Sequence, residues 1–222
     1  MPEIIRPTGT RELPVSTIPI AEQETLIHNF NRSIDEINAR VDYENRNLTS
    51  PMKEELFRAE VVMLVSALDY YLYEVLKTGI IQIYLNDREC TERFTNLRVP
   101  MRYVTSALEN PESNEWLSEA IVEIFGTTSF QSVKQIKFVL SVISSSTGNQ
   151  LFRSVADNLP ITKSQLEISI TSLCQRRHQI AHNCDIPPNS DVKDSITIEY
   201  LQENIQLLRD FVNLLHDRIV IR

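Results

Sequence analysis

With 222 residues, 42% of them apolar and 23% charged, the chain can build one good hydrophobic core and lies inside the globular range of composition. A net charge of −8 and a pI near 5.1 exclude a broad basic surface that coats nucleic acid, so any nucleic-acid contact has to be local. Four glycines, at positions 9, 79, 126 and 148, leave no glycine-rich phosphate loop, which removes Walker and Rossmann chemistries.

In chain order, the proline-spaced "MPEIIRPTGTRELPVSTIPI" over 1–20 reads as an extended arm, with no basic start and apolar block of a secretory signal. Ile27, Phe30, Ile34, Ile37 and Val41 then advance by threes and fours, as one face of a helix over roughly 21–45 requires. Ser50 followed by Pro51 reads as an N-cap with proline at the first helical position, opening the longest helix, 51–85. Its runs "VVMLVSAL" and "GIIQIYL" fall short of the roughly 20 apolar residues of a membrane span. Helices are predicted at 100–109, 113–125 and 129–145, with Pro111, Gly126 and "SSSTGN" as punctuation. Thr162 caps a penultimate helix that ends near 183, before the two prolines of "DIPPNSDVKDS". Leu201, Ile205, Leu208, Val212, Leu215 and Ile219 form the seam of the last helix. The expected fold class is all-α: an antiparallel helical bundle as one domain over 21–222, with a helical insertion at about 88–160. The odd, sparse cysteines, Cys90, Cys174 and Cys184, fit a reducing compartment, so the expected location is cytoplasmic.

The chemistry-bearing stretch is "CQRRHQIAHNCDIPP", 174–188, at the end of the penultimate helix. Leu166, Ile170 and Leu173 mark its buried stripe, and the next step lands on Arg177. A guanidinium there needs a carboxylate, a phosphate or water, or must reach solvent over a packed stem. Cys174, His178 and His182 share a face with Cys184 just beyond, which raises zinc. The set lacks a CxxC pair and sits on one segment, where tetrahedral closure is strained, so neither metal nor cofactor is expected. His182 falls in the last helical turn, where the bland reading is a cap on the last carbonyls.

Arg177 and His182 together, in "RHQIAH" on the penultimate helix of an all-α chain, resemble the R-x4–6-H motif of the HEPN superfamily. The longer "RRHQIAHNCD" is similar to the version in RiboL-PSP-type HEPN proteins, where an arginine pair leads into Ile-Ala-His and an acidic turn. "LVSALDYYLYEVL", 64–76, resembles the early family helix in which an acidic residue precedes an aromatic, here Asp69 before Tyr70 and Tyr71. The resemblance implies a metal-independent endoribonuclease acting on single-stranded RNA, in a toxin–antitoxin or phage-defence setting with a cognate antitoxin or defence partner. It implies a homodimer with its site at the interface. By it His182 is the general base or acid, Arg177 binds the scissile phosphate, and His178 assists. His178 stands where the family often has asparagine or aspartate. Asp69, Arg176 and Tyr70 are supporting residues, with Asp69 expected to pair with Arg177. The alternative is a non-catalytic helical adaptor or regulatory module, since a bundle alone does not imply catalysis.

Overall fold

A computed structural model describes residues 23–111 and 113–219, and the expected 1–20 arm lies outside them. The described residues form nine helices and no strand, as the all-α reading requires. They are α1 (Gln23–Asn47), α2 (Met52–Tyr84), α3 (Glu92–Thr95), α4 (Met101–Glu109), α5 (Glu115–Phe125), α6 (Val133–Ile143), α7 (Gly148–Ala156), α8 (Lys163–Asn183) and α9 (Ile198–Ile219).

The longest helix, α2, is also the centre. Its buried residues cover a broad arc that leaves Leu56, Met63 and Tyr70 on an exposed side, and they surround the helix only over its last turns, from Thr78 to Ile83. It packs against α1 and α9, which also touch each other, and against α5, α6 and α8; α7 bridges α6, α8 and α9. One apolar cluster links these elements, with Leu64, Leu68 and Leu72 of α2 meeting Leu166 and Ile170 of α8 and Leu208 and Phe211 of α9, all inaccessible to solvent. The amphipathic seams read from the sequence are therefore the ones that bury.

Several boundaries differ from expectation. Pro51 flanks α2 instead of opening it, and its neighbour Ser50 bonds the Glu54 carboxylate at 2.7 Å rather than a backbone N–H. The helix expected at 129–145 is shorter, because Ser132 caps it by accepting from the Gln135 N–H at 3.2 Å. "SSSTGN" is not simple punctuation: Thr147 and Gln150 form a capping box that starts α7. Neither α3 nor α7 was anticipated.

At Gly79 α2 and α6 approach so closely that a Cβ would sit 2.4 Å from Ile143 Cγ2. Gly79→Ala should therefore lower stability by about 1–3 kcal/mol, the usual cost of overpacking. Thermal melts check this, and Gly79→Ala should cost less in an Ile143→Ala background, where the obstructing methyl is gone, than in the wild-type chain.

Candidate functional site: the end of α8

Thr162 starts α8 with a capping box, its hydroxyl accepting from the Gln165 N–H at 3.2 Å while Gln165 Oε1 accepts from the Thr162 N–H at 2.8 Å. The stripe Leu166, Ile170, Leu173 packs into the core, and the helix ends where Cys184 and then Asp185 take left-handed conformations, φ 52° and 64°. Aspartate enters that region more readily than most residues. The reversal carries Asp185 from the surface into the protein, where it is 0% exposed.

Two arginines meet it there. Arg58 Nε of α2 lies 2.8 Å and Arg176 Nη2 of α8 2.7 Å from Asp185 Oδ2. The same arginines reach the returning loop: Arg58 Nη2 donates to Asp194 O at 2.7 Å, and Arg176 Nη2 to Ser195 O at 3.0 Å. The Asp194 N–H donates back to Asp185 O at 2.9 Å. Arg176, expected as a supporting residue, is thus held in a buried network that fastens the 184–197 loop to α2 and α8. Arg58 and Asp194 were not singled out from the sequence. Arg58 carried the signal used for Arg177, a charge in register with buried apolar positions such as Val61 and Val65.

Its neighbour Arg177 behaves differently. It is half-buried on the core stripe, its Nε is sealed from solvent, and it makes no hydrogen bond or ion pair with any described residue. Asp69 does not supply the expected carboxylate. Its two oxygens accept instead from the Phe130 N–H at 2.6 Å and from Gln131 Nε2 at 2.7 Å, holding the end of the α5–α6 connection against α2. The sequence placed Asp69 on the right helix, but Phe130 precedes α6 instead of lying within the helix expected over 129–145, and its backbone N–H takes one carboxylate oxygen.

His178 and His182, one helical turn apart, are both exposed, with ring centroids 4.4 Å apart and planes tilted by 44°. Arg177 is on the same helical turn as His178. The unpaired guanidinium and two accessible imidazoles are therefore neighbours on α8. Tyr70 lies apart from them: exposed, it lines a cleft between α1 and α2 with Asn29, Arg32 and Glu74.

Cys174 is buried, and burial first, then the Asp69 carboxylate, pushes its thiol up to about 11 against a smaller downward pull from Arg177. It is a protonated thiol at neutral pH, a poor metal donor. Among the described residues no group of three or more histidine, cysteine, aspartate or glutamate side chains is arranged to hold a metal ion. Nor is any described helix long and apolar enough to cross a membrane.

Beside His178 a groove of about 460 Å³ runs along α8, lined by its Thr171, Gln175, Gln179 and Asn183 and by Gln131 and Ser132 across from them. Cys174 and Pro188 complete it.

No curated protein and no solved structure gives a significant match to the chain. The family model described as RiboL-PSP-HEPN matches residues 28–220, which takes in every helix from α2 to α9 and most of α1. By that match the chain belongs to the RiboL-PSP-HEPN family of the HEPN superfamily.

Proposed function

We propose that the protein is a metal-independent endoribonuclease that cleaves single-stranded RNA at Arg177 and His182. The observation that carries this reading is the state of Arg177: a guanidinium on a core-facing stripe, with a buried donor and no partner among the described residues, beside two exposed imidazoles. An unsatisfied buried donor costs about 1–3 kcal/mol. The sealed Nε stays out of reach, but the two Nη nitrogens are neither buried nor paired with a described residue, and they are the donors that can take phosphate oxygens, guanidinium being the side chain best shaped for phosphate binding. Family membership supports the same reading, because HEPN domains are often ribonucleases.

The chemistry follows from the groups available. Cleavage needs the 2′-hydroxyl proton removed, the phosphorane charge stabilised and the departing 5′-oxygen protonated. His182 takes or gives the proton. The 2′-oxygen bonds to phosphorus, the bond from phosphorus to O5′ breaks, and the products are a 2′,3′-cyclic phosphate and a 5′-hydroxyl. Arg177 holds the charged oxygens, and His178 orients or assists. Arg176 acts through Asp185, holding the helix end in place. One base and one acid are needed per cleavage, and a twofold homodimer that brings two copies of 177–182 to one cleft supplies both. The setting is cytoplasmic, in a toxin–antitoxin or phage-defence system with a cognate antitoxin or defence partner.

The test is incubation of single-stranded RNA with purified protein in EDTA. Cleavage should proceed, and RNA with one 2′-deoxy residue at the scissile position should resist there, because the nucleophile is gone. Light scattering at micromolar concentration should report a dimer. Activity lost to chelator and restored by one divalent metal contradicts the reading. A folded dimer that cleaves no RNA favours the non-catalytic adaptor instead.

A further inference from the structure

We infer that the groove along α8 is a nucleobase subsite selecting a base with an exocyclic amino group, cytosine over uracil, next to the scissile phosphate. This rests on the ribonuclease reading above and deepens it.

His178 lines the groove midway along α8, between Thr171 and Asn183, and follows Arg177 directly in the chain, so a nucleotide whose phosphate lies against Arg177 and the imidazoles has its neighbouring base within reach. Apart from that imidazole the lining brings hydroxyls, amides, the Cys174 thiol and carbon, with no lysine, arginine or carboxylate. Phosphate would gain little there. A base, with flat carbon-rich faces and a polar edge, matches walls such as Pro188 and the glutamine stems.

Two of the amides are oriented. Gln131 Nε2 donates to Asp69 Oδ2 at 2.7 Å, and Gln179 Nε2 donates to Asp194 Oδ2 at 2.8 Å. A carboxylate only accepts, so each amide must present its nitrogen to it and cannot flip. Each Oε1 is left free, accepting nothing from a described residue. Both glutamines line the groove, so it offers two oriented carbonyl acceptors: the Asp69 carboxylate is held by the Phe130 N–H, and Asp194 is held by its backbone carbonyl, which accepts from Arg58 and Arg176, with its carboxylate 3.7 Å from Arg176 Nη1. An exocyclic amino group has two hydrogens to give. Cytosine carries one at the position where uracil carries a carbonyl oxygen, and a carbonyl facing fixed acceptors is repelled and left unpaired.

The experiment uses uncleavable 2′-O-methyl nonamers of cytidine and of uridine, fluorescently tagged, titrated against the full chain by anisotropy. The all-ribose versions are assayed for cleavage in parallel. Wild type should bind the cytidine nonamer roughly tenfold more tightly, the scale of one well-made base contact. Gln131→Met and Gln179→Met keep side-chain length but lack the acceptor, and each should shrink the preference. Thermal melts identify folded variants, and one folded variant suffices. Equal binding of the two nonamers, binding of neither, or a preference that survives both substitutions overturns the subsite. A preference that the methionine variants erase, with no cleavage of the ribose versions, upholds the subsite while the ribonuclease reading fails. Cleavage without base preference does the reverse.

Discussion

Asp185→Ala should cost about 3–5 kcal/mol, the scale for removing one partner of a buried ion pair. The carboxylate is fully buried and lies within 2.8 Å of both Arg58 and Arg176, and Arg58 is itself only 4% exposed. Truncation removes the one fully buried carboxylate and leaves Arg58 only the longer contacts to the more exposed Glu55 and Glu54, at 3.3 and 3.9 Å, too weak to compensate a buried guanidinium. For a chain of this size the melting temperature should fall by roughly 10 °C, at about 2–4 °C per kcal/mol. Asp185→Asn keeps the shape and one acceptor, so its loss should be smaller. Asp191→Ala, at an exposed position in the same loop, should melt like wild type. Thermal and urea melts of the three variants check the order. If Asp185→Ala is as stable as wild type, the buried network does not hold the loop.

His182→Ala and Arg177→Ala should each lower RNA cleavage by roughly 10²-fold or more, the scale for removing a proton-transfer group or a charge-stabilising donor. Stability separates this effect from damage to the fold. His182 is exposed, and Arg177 has no partner among the described residues to lose, so neither variant should melt much below wild type. Arg176→Ala, one residue earlier, should destabilise, because it breaks contacts to Asp185, Asp194 and Ser195. Arg177→Lys should not restore full activity, since an ammonium cannot make the bidentate contact. Adjacent arginines with opposite phenotypes, one losing activity and the other stability, would be hard to reconcile with a purely structural motif.

The long helices were legible because their signals are local and redundant. The stripe of α9 and the Thr162 box of α8 each tie sequence spacing to burial without help from the rest of the chain. The end of α8 was legible in identity but not in division of labour. Spacing placed Arg177 on the buried stripe and the two histidines on one face, and the structure keeps both placements. Which arginine is structural could not be read, because that depends on Asp185 turning inward through two left-handed residues and on Arg58 arriving from a helix 127 positions away. Asp69 failed for the same reason, since its partners come from Phe130 and Gln131, whose position follows from tertiary packing. Short elements such as α3 carry too few residues for a periodic signal.

The most direct measurement is mass spectrometry of the ends left on one defined single-stranded RNA in EDTA, with wild type, Arg177→Ala and His182→Ala run side by side. Proton transfer by His182 onto and off ribose and leaving-group oxygens, with Arg177 on the phosphorane, predicts 2′,3′-cyclic phosphate or its hydrolysed 3′-phosphate opposite a 5′-hydroxyl. Those products should all but vanish in both variants while the variants remain folded. Ends of 3′-hydroxyl and 5′-phosphate, or equal cleavage by the variants and wild type, would contradict it.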